Sequence, residues 1–217
     1  TLFVDHSPIS EPARGVLTCL RAFDQEIHPG AHDAARAFFA TLDADQHVTL
    51  AMKLANIRTL VLTNDPFDDI ERAYWDAGAV VDDRFRAALR IDTFFTDWPA
   101  AVRKLSAQGF HVSEEPDDAT QDGVRRFLAH WADVMKPVYL MASLPPDFTL
   151  PSDTAPARIF ESVVLPFCRE QHLPFAAMIG CARQINPALR LAGDGVTTAD
   201  MPTIEYLARS YPDNRFL

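Results

Sequence analysis

Apolar positions along the chain change their period near Arg58. Before it, Val16, Leu17, Leu20 and Phe23 recur at helical spacing behind Ser10-Glu11-Pro12, a capping serine followed by a proline suited to a first turn. Ala34, Ala37, Phe38 and Leu42 repeat the pattern within Ala31 to Leu42, and His47 to Leu54 predicts a third short helix. Nothing in this part alternates with period two. After Arg58, short β-prone runs are separated by helical stretches. Thr59 to Thr63 is apolar and ends at Asn64-Asp65-Pro66, which reads as a fully buried strand with helices over both faces. Strands are predicted near 58–63, 86–92, 138–143 and 175–180, with Arg215-Phe216-Leu217 opening another. Helices are expected over Asp68 to Trp75, Trp98 to Gln108, Thr120 to Met135, Ala157 to Gln171 and Met201 to Ser210.

Strands separated by helices are βαβ units, and such units build a parallel sheet. No GxGxxG or GxxxxGK[ST] loop follows any strand, so the usual phosphate cradle is missing from the pattern. Polar groups stand after the strands instead: Thr63-Asn64-Asp65, Arg90 with Asp92, Ser143, and Arg183 with Asn186. In a (β/α)8 barrel these positions face the catalytic rim. A complete barrel takes about 250 residues, whereas this chain has 217 and its last strand has hardly begun. The expectation is part of a barrel, cut off at both ends.

Composition narrows the partners. The chain is 48% hydrophobic and 23% charged with a formal charge of −10, which suits a globular protein and argues against nucleic acid or an anionic membrane as partner. No apolar run approaches the roughly 20 residues of a membrane span. Cys19, Cys168 and Cys181 are odd in number and lack CxxC spacing, so a reducing, cytoplasmic setting is expected and each reads as a small buried residue. His28 and His32 have a spacing that can hold a metal on a helix, but Pro29-Gly30 between them predicts a surface loop. His111, His130 and His172 read as surface histidines, and Asp82-Asp83 and Asp117-Asp118 as solvated turns.

Three segments in series resemble the uronate isomerase family, a branch of the metal-dependent amidohydrolase barrels. Leu62-Thr63-Asn64-Asp65-Pro66-Phe67-Asp68 is similar to the family's Thr-Thr-Asp-Asp-Pro-x-Asp strand end. Leu89-Arg90-Ile91-Asp92 resembles Phe/Trp-Arg-Pro-Asp, with Ile91 replacing the proline. Ile179-Gly180-Cys181-Ala182-Arg183-Gln184-Ile185-Asn186 resembles His-Ile-Gly-Ala-x-Arg-x-x-Asn, and Gly193-Asp194-Gly195 with Asp200 follows the Gly-x-Asp-x-Gly-x-Asp stretch after it. The likeness runs from about residue 55 to the end. There are departures. The family's His-x-His pair and late strand-end Asp, which hold a divalent metal, are not in this chain. Met178 stands where the family has histidine, and Leu144-Pro145-Pro146 replaces another.

The resemblance implies an α/β chain carrying about strands 2–5 and the start of strand 6 of a parallel barrel. A helical segment, 1–55, would pack on a partial barrel, 56–217, as one incomplete domain. It implies aldose–ketose isomerisation of a hexuronate such as D-glucuronate or D-galacturonate, a proton moving between C2 and C1 through an enediol. The cofactor implied is a divalent metal, zinc first, with its ligands outside this chain. The partner is a small sugar acid, with a homo-oligomer allowed, and the chain alone is expected to be inactive and metal-free. The alternatives are hydrolysis of a lactone, ester or amide by metal-bound water, and a non-catalytic sugar-acid binding protein.

Four residues are the candidates for substrate contact, and the catalytic acid and base stay unassigned. Arg90 can clamp a carboxylate through two parallel hydrogen bonds, or form a structural ion pair with Asp65 or Asp92. Arg183 offers the same choice between ligand and loop salt bridge. Asn186 can meet a sugar hydroxyl, although Asn-Pro is also an ordinary turn. Asp65 can orient Arg90 or bind a hydroxyl, or serve as an Asx cap for the helix beginning near Asp68.

Overall fold

A computed structural model describes residues 10–28, 30–78, 82–189 and 194–217. Three helices come first: α1 (Glu11–Ala22), α2 (His32–Ala40) and α3 (Ala44–Leu54). The Ser10 hydroxyl caps α1 by accepting from Ala13 N at 3.4 Å. Asp43 and Gln46 form a reciprocal capping box on α3, each side chain accepting from the other's backbone N–H, at 2.8 and 3.0 Å. Phe39 joins these helices by ring contacts, 5.1 Å from Phe23 and 5.4 Å from His47. His28 and His32 are both exposed, and His32 opens α2. Chain packing separates two compact units at the Leu60–Val61 junction.

The later part follows the expected alternation. Its order is β1 (Leu60–Asn64), α4 (Asp69–Asp76), β2 (Phe85–Arg90), α5 (Thr93–Thr96), α6 (Trp98–Ala107), α7 (Asp118–Met135) and β3 (Leu140–Leu144). Next come α8 (Ala155–Ile159), a π-helical turn (Phe160–Val164), α9 (Leu165–Glu170), β4 (Phe175–Ile179), the two-residue strands β5 (Cys181–Ala182) and β6 (Gly195–Val196), and α10 (Met201–Ser210). The four long strands form one parallel sheet in the order β1-β2-β3-β4. Leu89 pairs with Leu140 and Leu140 with Phe175. Phe216 forms a parallel bridge to Phe175 on the far side of β4, as the expected fifth strand requires.

One face of this sheet carries the core. Ala87, Leu89 and Ile91, then Leu140, Ala142 and Leu144, then Phe175, pack among Phe127, Leu128, Trp131, Val163 and Phe167. Alternation sends Arg90, Ser143 and Met178 to the opposite face. Helix α7 presents Val124, Phe127, Leu128, Trp131 and Met135, a stripe at the 3.6-residue period, and each such side chain contributes about 1.5–3 kcal/mol on burial. Asp117 caps that helix by accepting from Thr120 N at 2.8 Å, a defined role for a residue expected to be a solvated turn. Asp82 likewise pairs with Arg84.

Three features depart from the sequence expectation. Strand β1 is not fully buried, since Val61 and Leu62 are 42% and 46% exposed. It lies at the end of the sheet order, with a neighbouring strand on one side. The helix expected over Ala157 to Gln171 is broken by the π turn, just before Pro166, which has no N–H for a regular helical bond. The short helix α5 and the antiparallel β5–β6 pair were not anticipated, because elements of four and two residues are shorter than any period.

Candidate functional site

Side chains from β2, from β3 and from the segment after β4 meet at the C-terminal ends of the strands. The register places Arg90 beside Met141, which brings Asp92 two residues on to Ser143. Ser143 N donates to Asp92 Oδ1 at 2.8 Å. Asp92 Oδ2 accepts from Arg90 Nη2 and from Arg183 Nη2, both at 2.6 Å. Arg183 Nη2 also lies 3.1 Å from Ser143 Oγ. Its Nη1 donates to Asp194 at 2.6 Å, and Asp194 Oδ1 accepts from Gln184 N at 2.8 Å. The β5–β6 pair therefore holds Arg183 and Asp194 together at the base of one hairpin. Gly180 leads into it at φ +83, and a Cβ there would stand 2.9 Å from Thr197 O, so glycine is required by both backbone and space.

Burial separates the charged groups. The Asp92 side chain is 7% exposed, whereas the Arg90 and Arg183 side chains are 31% and 37% exposed. Burial is the largest influence on Asp92 and pushes its carboxyl up. The Arg90 and Ser143 hydrogen bonds outweigh it and hold the group below the ordinary carboxylate range. Arg90 is held charged by its bond to Asp92, and among the described residues its buried Nε has no hydrogen-bond partner.

Asp65 belongs to the electrostatics of this cluster without bonding to it. Burial raises its pKa, opposed by the Phe67 N–H that Oδ1 accepts at 2.9 Å and by the Arg90 charge. Its loop is fixed from two sides: Glu71 accepts from Asp65 N at 3.0 Å, and Lys104 and Gln108 donate to the carbonyls of Phe67 and Pro66. The helix cap expected at Asp65 is supplied instead by Asp68, and Asp65 makes an Asx turn with Phe67 N. Asn186 is exposed and accepts from Ala188 N at 3.2 Å, the ordinary turn that Asn-Pro allows. So Arg90 and Arg183 meet, Asp65 stands near them, and Asn186 bonds locally.

Asp92 stands at the centre of the cluster although it is not among the four candidates for substrate contact; its signal in the sequence is the Arg-x-Asp spacing at a strand end. Ser143 and Asp194 also join the cluster through contacts remote in sequence.

Among the described residues, no group of three or more His, Cys, Asp or Glu could hold a metal ion. Met178, on β4, is half exposed and its thioether is a poor zinc ligand. The described residues do not fit the divalent metal implied by the resemblance. Among the described residues no helix is long and apolar enough to cross a membrane.

A parallel sheet covered by helices, with a charged cluster at the strand ends, defines part of an α/β barrel of the enzyme type. The particular likeness is to a uronate isomerase from Bacillus halodurans C-125, 40% identical over 99% of this chain, with a TM-score of 0.92. That match takes in 51% of the Bacillus protein, so this chain spans about half its length. A glucuronate isomerase from Caulobacter crescentus (16% identity, TM-score 0.52, 74% of this chain and 40% of that one) shares the fold. So does a uronate isomerase from Thermotoga maritima (15%, 0.52, 75% and 44%). No family model and no curated protein matches.

Proposed function

We propose that this chain supplies the carboxylate-holding part of a hexuronate isomerase site, for D-glucuronate or D-galacturonate. The observation that carries the reading is Arg90, a guanidinium at a strand end with a buried Nε that has no partner among the described residues. The 40% identity to the Bacillus uronate isomerase supports it. A carboxylate set against Arg90 fixes C6 of the sugar and directs C1 and C2 away from the cluster, where the aldose–ketose proton shift takes place. Asp65, its carboxyl raised by burial, can share a hydrogen bond with a sugar hydroxyl, and Asn186 can meet another from the exposed loop. Arg183 is the further candidate contact.

On this reading the 217-residue chain binds hexuronates weakly, neither turns them over nor holds one zinc, and the implied metal ligands come from elsewhere. The test is calorimetric titration with D-glucuronate, D-galacturonate and neutral D-galactose. It is accompanied by a ketose assay with added zinc or manganese and elemental analysis of the purified chain. Uronate binding with no galactose binding is the expected result, and equal affinity for all three sugars counts against it. One tightly held metal per chain, or ketose formed above the buffer rate, overturns the claim that this part is insufficient. A second reading, a sugar-acid binding protein without catalysis, is favoured by Met178, which cannot exchange protons where the related motif has histidine.

A further inference from the structure

We infer that Asp92 is a positioning residue that gives the two arginines different tasks, tying Arg183 into the frame and leaving Arg90 to meet the ligand carboxylate. The inference rests on the uronate reading and sharpens it. Both guanidiniums carry five N–H donors and the same charge, so their roles are decided by which acceptors surround them. Arg183 donates from both terminal nitrogens, to Asp194 on one side and to Asp92 and Ser143 on the other. Its partners come from the turn after β2, from β3 and from the hairpin, so it acts as a strut between elements distant in sequence. Among the described residues the Arg90 side chain has one bond, from Nη2 to Asp92, and its buried Nε has no partner.

The acceptors are divided unevenly. Asp92 Oδ2 is shared by two guanidiniums while its Oδ1 is taken up by Ser143 N. Asp194 gives Arg183 a second carboxylate, whereas Asp65 acts on Arg90 through its charge and spends its own hydrogen bond on Phe67 N. Among the described residues the unmet donor is therefore at Arg90. An anionic ligand oxygen meets it with a charge-assisted bond, about twice as strong as the one a neutral sugar hydroxyl offers.

The experiment observes the arginine guanidinium groups of the full chain by nitrogen-15 NMR. In the ligand-free protein, Asp194→Asn is expected to speed rotation of the Arg183 guanidinium and leave the Arg90 signals in place, whereas Asp92→Asn moves both. If Asp92→Asn fails to fold, Asp92→Glu and Asp194→Asn carry the test, the glutamate restoring bonds to both arginines. Added D-galacturonate is expected to shift the Arg90 Nε signal with little change at Arg183, and D-galactose to shift neither. Arg183 moving while Arg90 stays still overturns the assignment and leaves the uronate reading standing. No movement of either arginine, in a protein whose variants behave as expected, retires the uronate reading and with it Arg90's ligand role. Arg183 signals unchanged by Asp92→Asn would remove Asp92 from the positioning role.

Discussion

Asp92 and Asp65 sit near one arginine and respond to pH with opposite sign. Asp92 has its folded pKa below the unfolded value of about 3.9. Its stabilising contribution is therefore complete above that value and is lost as pH falls through the folded one. Asp65 is raised, so its contribution is complete below about 3.9 and is lost as pH rises through its folded value. Asp92→Asn should lower stability at pH 7 by about 1–3 kcal/mol, since two partly buried guanidiniums lose a charged acceptor, and the deficit should shrink toward pH 3. Asp65→Asn should raise the melting temperature at pH 7 and lose that advantage near pH 3. Thermal melts at pH 3, 5 and 7 check both, and an Asp65→Asn variant less stable than the parent at pH 7 would contradict the burial argument. Cys168 shows burial acting alone, its thiol pushed up to about 12, which makes it inert toward alkylating reagents at neutral pH.

Two helical glycines show how packing overrides propensity. Gly15 in α1 has open space around it, and alanine there should add about 0.5–1 kcal/mol, the ordinary difference between the two residues in a helix. Gly123 in α7 is different, because a Cβ would stand 2.1 Å from the His111 carbonyl oxygen and 2.7 Å from Val112 Cγ1. Gly123→Ala should cost about 1–3 kcal/mol, as overpacking does. Denaturant midpoints of the two variants should fall on opposite sides of the parent. The π turn offers a second check. Glu161 lies in it and accepts from the hydroxyls of Tyr206 and Tyr211, both at 2.7 Å, so it fastens α10 to the broken helix. Glu161→Ala should increase amide exchange within α10 more than within α7.

Stability is unevenly shared across the molecule. The large buried side chains, Trp131, Phe94, Phe127, Phe160 and Phe175 among them, all lie in the second unit. Described buried apolar residues of the first unit are Ala13, Ala31, Ala35 and Met52, so less apolar surface is removed from water there. Native-state hydrogen exchange should find lower opening free energies for 11–54 than for 86–91, 140–144 and 175–179. Equal protection in the two parts would mean that the helical unit is stabilised by something other than its own core.

The alternation of apolar runs with helical stripes was enough to specify a parallel α/β sheet, and the strands fall within about two residues of their expected places. Local chemistry was also legible where it depends on residues three or fewer positions apart, as at the Ser10 cap and the Asn186 turn, whereas Asp117, a solvated turn by its sequence, caps α7, and the cap expected from Asp65 comes from Asp68. The Arg90–Asp92 pair shares that property, being two residues apart at the end of one strand. What the chain could not declare by itself is which partners arrive from far away. Val61 and Leu62 look like core until sheet order puts β1 at the end. Arg183 offers a ligand contact or a loop salt bridge, and only folding shows which groups reach it, Asp92 across 91 positions and Ser143 across 40. Period and spacing are properties of neighbours along the chain, whereas sheet order, burial and the satisfaction of a guanidinium depend on the whole packed molecule.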